Sequence, residues 1–354
     1  GGIEYAPIQE ITFRGQYSRA VRAPSVFELY GGPGQDSPTV ADPCALPTAA
    51  TNATIRSVCI ATGVPAADVG SPTLQPNVQV KGLTGGNPNL TQESSDSYTF
   101  GVVLRPLPRL SLTADYYHIK VDKVIAPAAG GVANILNLCY NVIQNASSAI
   151  CQLIRRNPAT GIIDGSQNGD TLYAVSAATA NLGKLVTSGV DIGLDYRQPL
   201  RFGLFSSDSE LQLTANGTYT DKFDTTPVAE LNSIIECAGR FGVRCGEPQP
   251  HFKSNVRLTY VDGPLTTSLG WRRLGPVSDD NPTTTYTVER ISAYNLFDLA
   301  LSAKIGDLKL SAGINNLFDK KPPILGSNQA EANTYPSTYD VLGRDFFFSA
   351  SVHF

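Results

Sequence analysis

The last part of the chain, Gly306 to Phe354, contains two segments in which apolar and polar side chains alternate strictly. The apolar positions are Leu308, Leu310, Ala312 and Ile314 in the first segment, and Phe346, Phe348, Ala350, Val352 and Phe354 in the second. A period of two gives a β-strand one apolar and one polar face. Two such strands of about ten residues each have the length that crosses a bilayer at a tilt of about 45°. This region therefore predicts a hairpin in the wall of a transmembrane β-barrel.

The same alternation recurs along the chain, most clearly at residues 186–196 and 211–219, and predicts eleven strands in an all-β fold. Short turns are expected near residues 7, 107, 200, 263 and 306, and long loops near 21–94, 125–180, 224–250, 276–290 and 319–342. Because short and long connections alternate, an antiparallel up-and-down meander puts all the long loops at one end. That asymmetry is typical of outer-membrane barrels, which have short periplasmic turns and long extracellular loops.

Composition narrows the class of protein further. Charged residues make up 16% of the sequence, against roughly 25% in soluble globular proteins. No run of about 18 apolar residues predicts a membrane-spanning helix. The net charge of −4 and the lack of a basic run exclude nucleic acid as an expected partner. The sequence has no Met and opens inside a predicted strand, so we expect a fragment or processed chain that lacks an amino-terminal part.

Six cysteines fall in pairs within three of the predicted long loops: Cys44 and Cys59, Cys139 and Cys151, and Cys237 and Cys245. Six cysteines allow fifteen pairings, and one disulfide within each loop is the simplest of them. That pattern indicates an oxidising compartment on the long-loop side. A zinc site is the alternative, but the sequence has no Cys-x-x-Cys and only three His.

No catalytic motif is present: the sequence contains no Gly-x-Ser-x-Gly, no P-loop and no His-Glu-x-x-His. The histidines lie in or beside predicted strands, at His118, His251 and His353. The triplet Asp279-Asp280-Asn281 has oxygen ligands that suit calcium, although a solvated turn is the plainer interpretation. We therefore expect no enzyme activity, no cofactor and no bound metal.

Six segments, spread over the whole chain in a consistent order, resemble the carboxyl-terminal half of the β-barrel of TonB-dependent outer-membrane receptors. They are Tyr17–Ser25 (YSRAVRAPS), Asn87–Tyr98 (NPNLTQESSDSY), Ala114–Ile119 (ADYYHI), Thr187–Asp191 (TSGVD), Gly313–Lys320 (GINNLFDK) and Leu342–Phe347 (LGRDFF). The resemblance implies a barrel of about 22 strands around a plug domain. This chain would supply the last eleven strands, without the plug or the TonB box.

The resemblance also implies partners and a location. A receptor of this family lies in the bacterial outer membrane, contacts its lipid, and meets the TonB complex through an amino-terminal segment that is missing here. Terminal Phe354 resembles the signal that the barrel assembly machinery reads, and a lipid-facing aromatic residue is its simpler interpretation. The transported ligand in this family is a scarce solute such as a siderophore–iron complex, cobalamin or an oligosaccharide.

In the resembling family, the ligand binds between the plug, the inner wall and the extracellular loops. Aromatic and arginine side chains in the loops are the candidates here, because these residue types dominate binding hot spots. They are Arg22, Phe27, Tyr30, Tyr140, Arg272, Arg273, Tyr286, Tyr335 and Tyr339. Packing within the loops, or an aromatic girdle at the membrane boundary, is the alternative role for each.

The sequence supports TonB-driven uptake as the first functional hypothesis. A passive porin or adhesin-type barrel is the second, and a plug domain encoded upstream would decide against it. A soluble secreted carbohydrate-binding module is the third, and solubility without detergent would favour it. Within the barrel hypothesis, we expect Leu194 and Leu213 to face lipid, and Asp195 and Thr214 to face the lumen.

Overall fold

Eleven long antiparallel strands form one sheet in the computed structural model, which describes residues 1–231, 233–281, 285–326, 329–330 and 332–352. The strands are β1 (Gly2–Ile8), β2 (Ile11–Arg22), β3 (Glu93–Leu107), β4 (Leu110–Asp122), β5 (Lys184–Leu200), β6 (Ser209–Thr226), β7 (Phe252–Asp262), β8 (Leu265–Leu274), β9 (Tyr294–Ile305), β10 (Leu308–Asn315) and β11 (Asp345–Val352). Each strand pairs with the next in sequence, and the predicted number of strands is confirmed. In the described chain the sheet is open, because β1 and β11 each pair on one side only. Phe354 lies outside the described residues.

The connections alternate in length along the sheet. Short turns follow β1, β3, β5, β7 and β9, and five long loops separate the resulting hairpins. We name the long connections loop 1 (23–92), loop 2 (123–183), loop 3 (227–251), loop 4 (275–293) and loop 5 (316–344). Because successive strands are antiparallel, all five loops leave the sheet at the same edge, which we call the long-loop edge; the opposite one is the short-turn edge.

One face of the sheet is lined by apolar side chains that stand opposite one another on neighbouring strands. A single row crosses β5 to β11 through Tyr196, Leu213, Leu258, Leu269, Leu299, Ile314 and Phe346. Leu258, Leu269 and Phe346 are 40%, 41% and 68% exposed. Side chains of this parity define the apolar face, which is open to the surroundings of the chain.

The opposite parity gives a polar face, where charged side chains pair across strands. The Arg14 guanidinium donates two hydrogen bonds of 2.6 Å to the Asp115 carboxylate. Gly101 stands opposite both residues in the strand between them. A Cβ at Gly101 would lie 1.9 Å from Asp115 Oδ1, so only glycine leaves room for this bridge. Thr218 likewise donates to Asp191 over 2.6 Å.

Loops 1 and 2 fold together into a small core of their own above the sheet. Their helices are short: Val26–Tyr30, Pro47–Thr51, Ala53–Ala61, Val132–Asn137 and the π-helix Leu138–Ile143, with 3-10 turns at Pro43–Ala45, Pro72–Leu74, Ala128–Gly130 and Cys151–Leu153. Their small strands are Gly34–Asp36, Gly82–Thr84, Ile125–Pro127, Gln167–Asn168, Thr171–Leu172, Val175–Ser176 and Thr179–Asn181. No helix in the described residues is both long and apolar enough to cross a membrane.

A buried ion pair joins loops 1 and 2. Arg156 donates to both Asp42 oxygens over 2.7 and 2.8 Å, and the two side chains are 0% and 2% exposed. Arg156 also donates to the Tyr140 hydroxyl over 3.0 Å. Burial by itself lowers the pKa of Arg156. The Asp42 charge and the hydrogen bonds to Asp42 and Tyr140 raise it by more, so the net pKa lies above the usual value and the guanidinium stays charged. The pair is stable only because every one of these bonds is made.

The three disulfides pair adjacent cysteines, as predicted. Cys44–Cys59 and Cys139–Cys151 lie in the core of loops 1 and 2, with Cα atoms 5.7 and 5.0 Å apart. Cys237–Cys245 closes a short segment of loop 3. Each bridge limits the freedom of a long connection in the unfolded chain and so favours the ordered loop.

Loops 3, 4 and 5, with the start of β9, form a second apolar cluster at the long-loop edge, which we call the platform. It contains Phe241, Val277, Ile291, Tyr294, Leu296, Leu325, Ala330 and Tyr339. A small sheet of Arg240–Gly242, Gly246–Gln249, Val277–Asp279 and Arg290–Ile291 supports it. Loop 3 also holds the 3-10 turn Ala229–Leu231 and the strand Ile235–Glu236, which pairs with the end of β6.

Replacing Arg156 with Met should loosen loops 1 and 2, because it leaves the Asp42 carboxylate buried without its cation. Removing one partner of a buried pair costs about 3–5 kcal/mol. We expect the free energy of opening of this core, measured by amide hydrogen exchange of peptides spanning 42–61 and 132–156, to fall by that order. Arg155→Met is the matched control, since Arg155 is exposed. Equal exchange in the two variants would contradict the role assigned to the pair.

Candidate ligand-binding site

The polar face of the sheet and loop 5 enclose a groove of about 560 Å³. Strands β4 to β9 supply its wall and loop 5 supplies its lid toward the long-loop edge. The polar residues that line it are Thr113, Asp191, Asn216, Thr218, Lys253, Ser254, Asn255, Arg272, Arg273, Tyr294, Thr338 and Asp340. Amides, hydroxyls and charges of both signs alternate here, so the groove can bind a polar ligand through many hydrogen bonds.

Two predicted site residues, Arg272 and Arg273, are among those that line this groove. The side chain of Arg272 lies on the polar face, on the same parity of β8 as Gly270. It donates to Asp298 over 2.7 and 3.0 Å in a two-pronged bridge between β8 and β9. Asp298 also accepts the Asn316 backbone N–H over 2.9 Å, which ties the bridge to the start of loop 5. Asn316 is fully buried and exchanges bonds of 2.9 and 2.7 Å with the Lys320 backbone. Arg272 therefore both lines the groove and fixes the loop above it.

Arg273 belongs to the other face of β8, because adjacent strand residues point in opposite directions. It donates to Asn295 over 3.2 Å, beside the Trp271 indole, which donates to the same oxygen over 3.1 Å. The Trp271 ring stacks on Phe297 at 6.3 Å. Phe297 in turn packs its ring against Phe318 at 5.4 Å, which extends this aromatic cluster.

Arg22 ends β2 and holds the helix Val26–Tyr30 against the root of loop 1. It donates to Glu93 over 2.6 Å and to Glu28 over 2.9 and 3.0 Å. Its hydrogen bonds, with that of the Ser25 backbone N–H, lower the pKa of Glu28 to about 2. The helix then displays Phe27 and an equally open neighbour, Tyr30, which are 80% and 69% exposed.

The remaining tyrosine candidates are partly or wholly inside the loops. Tyr140 and Tyr339 are 0% and 2% exposed, so neither offers a surface to a ligand in this structure. Tyr339 packs its edge on Tyr294 at 5.2 Å, and burial raises its pKa to about 12. Tyr335 packs on Phe241 at 5.9 Å, and burial raises its pKa too. Tyr335 and Tyr339 thus pack in the platform, and Tyr140 packs in the core of loops 1 and 2.

Tyr286 lines a second cavity of about 650 Å³ between loops 1, 4 and 5. Its hydroxyl accepts a hydrogen bond from the Asn281 amide over 3.3 Å. Among the described residues, the cavity is otherwise walled by 39–41, 75–78, 285, 287, 325, 326 and 329. Of the nine candidates, Arg272 and Arg273 thus line the groove and Tyr286 lines this cavity, and the other six lie apart from both.

Sequence reasoning missed the polar residues of the wall itself. Asp191, Asn216 and Asn255 occupy the polar parity of cleanly alternating strands, and that parity was the available signal. The acidic triplet at 279–281 has a structural role: Asp280 accepts the backbone N–H of Arg244 over 3.0 Å and that of Cys245. Burial raises the pKa of Asp280 to about 6.

A family model described as TonB dependent receptor-like, beta-barrel matches residues 1–317 of the sequence. The chain belongs to this TonB-dependent receptor family. No curated protein sequence matches it.

Solved receptor structures share the fold at low sequence identity. The ferric enterobactin receptor PfeA of Pseudomonas aeruginosa, in complex with enterobactin, superposes with a TM-score of 0.55 and 15% identity, covering 99% of this chain and 39% of that one. The siderophore receptor PirA of Acinetobacter baumannii gives a TM-score of 0.52 and 14% identity, covering 99% and 40%. The chain thus spans about two fifths of the length of these siderophore receptors.

The platform should lose stability as the pH rises from about 4 to about 6. Burial, assisted by the adjacent Asp279 charge, raises the folded-state pKa of Asp280 from 3.8 to about 6. In this window the folded protein keeps a proton that the unfolded protein releases, so the free energy of unfolding falls with pH and levels off above it. The total change is roughly 2–3 kcal/mol.

Amide exchange of segments 240–249 and 277–281, corrected for the intrinsic effect of pH, measures this loss. Asp280→Asn retains an acceptor for the Arg244 and Cys245 N–H groups and removes the titration. We expect the variant to lose most of the pH dependence; a smaller part should remain, because burial also raises the pKa of Asp279. An unchanged dependence in the variant would show that another group is responsible.

Proposed function

We propose that this chain forms part of the wall of an outer-membrane barrel and that the whole protein takes up a solute by a TonB-dependent mechanism. The observation that carries the proposal is the family match over residues 1–317, in a chain whose strands put apolar side chains on one continuous face. A face of this kind suits contact with lipid, and the opposite polar face suits a lumen.

The open edges favour further strands from a longer protein. β1 and β11 leave one side of their backbone unpaired in the described chain. Unpaired backbone N–H and C=O groups are not tolerated in the hydrocarbon of a bilayer. We infer that the chain supplies half of a barrel of about 22 strands and that the remaining strands and a plug belong to the same receptor. The TonB box would lie on that missing part.

The long loops would lie outside the cell and the short turns in the periplasm. Three disulfides within loops 1, 2 and 3 support this orientation, because they suit an oxidising side of the membrane. Barrel insertion would need the assembly machinery, with Phe354 as its signal. The wall would be surrounded by outer-membrane lipid.

The groove on the polar face is the proposed ligand site within this wall. Arg272 and the amides opposite it would bind polar groups, and the exposed rings of Phe27 and Tyr30 would add contacts from loop 1. PfeA is a ferric enterobactin receptor and PirA is a siderophore receptor, so a ferric siderophore is the first solute class to test. Cobalamin and oligosaccharides are the other solutes considered.

Energy-dependent uptake separates the proposal from a passive porin or an adhesin. We expect cells that express the full-length gene to accumulate radiolabelled ferric enterobactin, and to stop when tonB is deleted. A strain lacking the receptor gene is the control. Uptake that persists without TonB would favour the porin, and surface binding without accumulation would favour the adhesin. If ferric enterobactin is not accumulated, the same assay is run with cobalamin.

The orientation of the wall can be tested by arginine substitutions on two neighbouring strands. Leu213 stands in the apolar row, whereas Thr214 donates to Asp195 on the polar face over 3.3 Å. Arg at Leu194 or Leu213 should cost about 2–4 kcal/mol if the site is at mid-membrane, and Arg at Asp195 or Thr214 much less. Folding of the full-length protein into lipid vesicles measures the difference. Equal losses at all four positions would reject the assignment.

A further inference from the structure

One of the five short turns is much longer than the chain reversal requires. In the described chain, the other four hairpins close with two residues each, at 9–10, 108–109, 263–264 and 306–307. The turn between β5 and β6 has eight residues, 201–208, although Leu200 and Ser209 already stand opposite each other in the ladder. We call residues 201–208 the foot. Its extra length needs a reason other than the hairpin.

The foot is held by buried polar groups at the ends of neighbouring strands. The Asp262 carboxylate is fully buried and accepts the backbone N–H of Leu204 over 2.6 Å and that of Phe205 over 3.1 Å. Ser209 is 4% exposed and donates to the Phe202 carbonyl. Two backbone donors of an exposed turn are thus satisfied inside the protein, which fixes the conformation of the foot.

The position of Asp262 shows on which face the foot lies. Leu258, Tyr260 and Asp262 share one parity of β7, and Leu258 belongs to the apolar row. Since the foot covers Asp262, it folds over the apolar face at the short-turn edge. A connection serving the groove would lie on the polar face instead.

The foot exposes three large apolar side chains within eight residues. Phe202, Leu204 and Phe205 are 67%, 85% and 64% exposed. Arg201, the first residue of the foot, is exposed, and so is Arg109 in the neighbouring turn 108–109. The Arg109 backbone carbonyl accepts the Arg197 N–H over 3.1 Å, which holds this turn beside β5. An exposed apolar cluster marks an interaction surface. Arginine beside it matches a phosphate-bearing partner.

We propose that the foot is a membrane anchor that inserts Phe202, Leu204 and Phe205 at the headgroup boundary of the phospholipid leaflet beside the short-turn edge. Continuity with the apolar face and the neighbouring arginines favour a lipid occupant over a protein. Aromatic and apolar side chains at this level, with cations beside lipid phosphates, stabilise the depth of a membrane protein. The inference rests on the proposed function, since a leaflet lies here only if the sheet spans a bilayer.

Tryptophan quenching in vesicles tests the anchor. The full-length protein is reconstituted in phosphatidylcholine–phosphatidylglycerol vesicles, with or without bromine on the upper part of the acyl chains. Leu204→Trp carries the probe in the foot. Leu342→Trp is the matched control, because Leu342 in loop 5 is 84% exposed, against 85% for Leu204. Leu258→Trp reports on the apolar row. Emission is taken as the difference from the unsubstituted protein, which contains Trp271.

We expect brominated lipid to remove most of the emission added by Leu204→Trp, while iodide on both sides of the bilayer leaves it unchanged. Leu342→Trp should show the reverse. If Leu204→Trp is quenched by iodide and spared by bromine while Leu258→Trp is quenched by bromine, the anchor is rejected and the barrel stands. If bromine spares Leu258→Trp as well, the proposed function fails with it. Equal quenching of Leu204→Trp and Leu342→Trp by bromine would also reject the anchor.

Discussion

Backbone hydrogen bonding between neighbouring strands is the constraint on which the rest of this structure depends. Each of the eleven strands pairs in register with the next, so the parity of every side chain is fixed by the ladder. A shift of one residue in any pair would exchange the apolar and polar faces of that strand. The bridge from Arg14 across Gly101 to Asp115 exists only in the observed register, and so it also helps to select that register.

The loops add a second level of order above the sheet. One disulfide closes a segment within each of loops 1 and 2, and the Asp42–Arg156 pair joins the two loops in a shared core. Asp298, which pairs with Arg272, accepts the Asn316 N–H and so ties loop 5 to the wall. Ordered loops lower the entropy that ligand capture costs, because fewer side chains must be immobilised on binding. The polar groove therefore has a rigid wall and a lid anchored at its root.

The sheet was predictable from sequence because its signal is local: a period of two, interrupted by turn residues, reports each strand and its faces. The disulfides were predictable because their partners are near in sequence. The burial of Tyr140 and the ion pair of Asp42 with Arg156 were not, since those two charged residues are 114 positions apart. The sequence of the eight-residue foot likewise predicts an ordinary turn, because its partner Asp262 is 58 positions away from Leu204.

The most direct test of this account is a cryo-electron microscopy structure of the full-length protein in a lipid nanodisc. We predict a closed barrel in which β1 and β11 both pair with strands from the rest of the protein. Lipid should surround the row from Tyr196 to Phe346, and the groove around Arg272 should face the lumen. A structure in which the edges of the sheet stay unpaired, or in which the apolar row faces the interior, would contradict it.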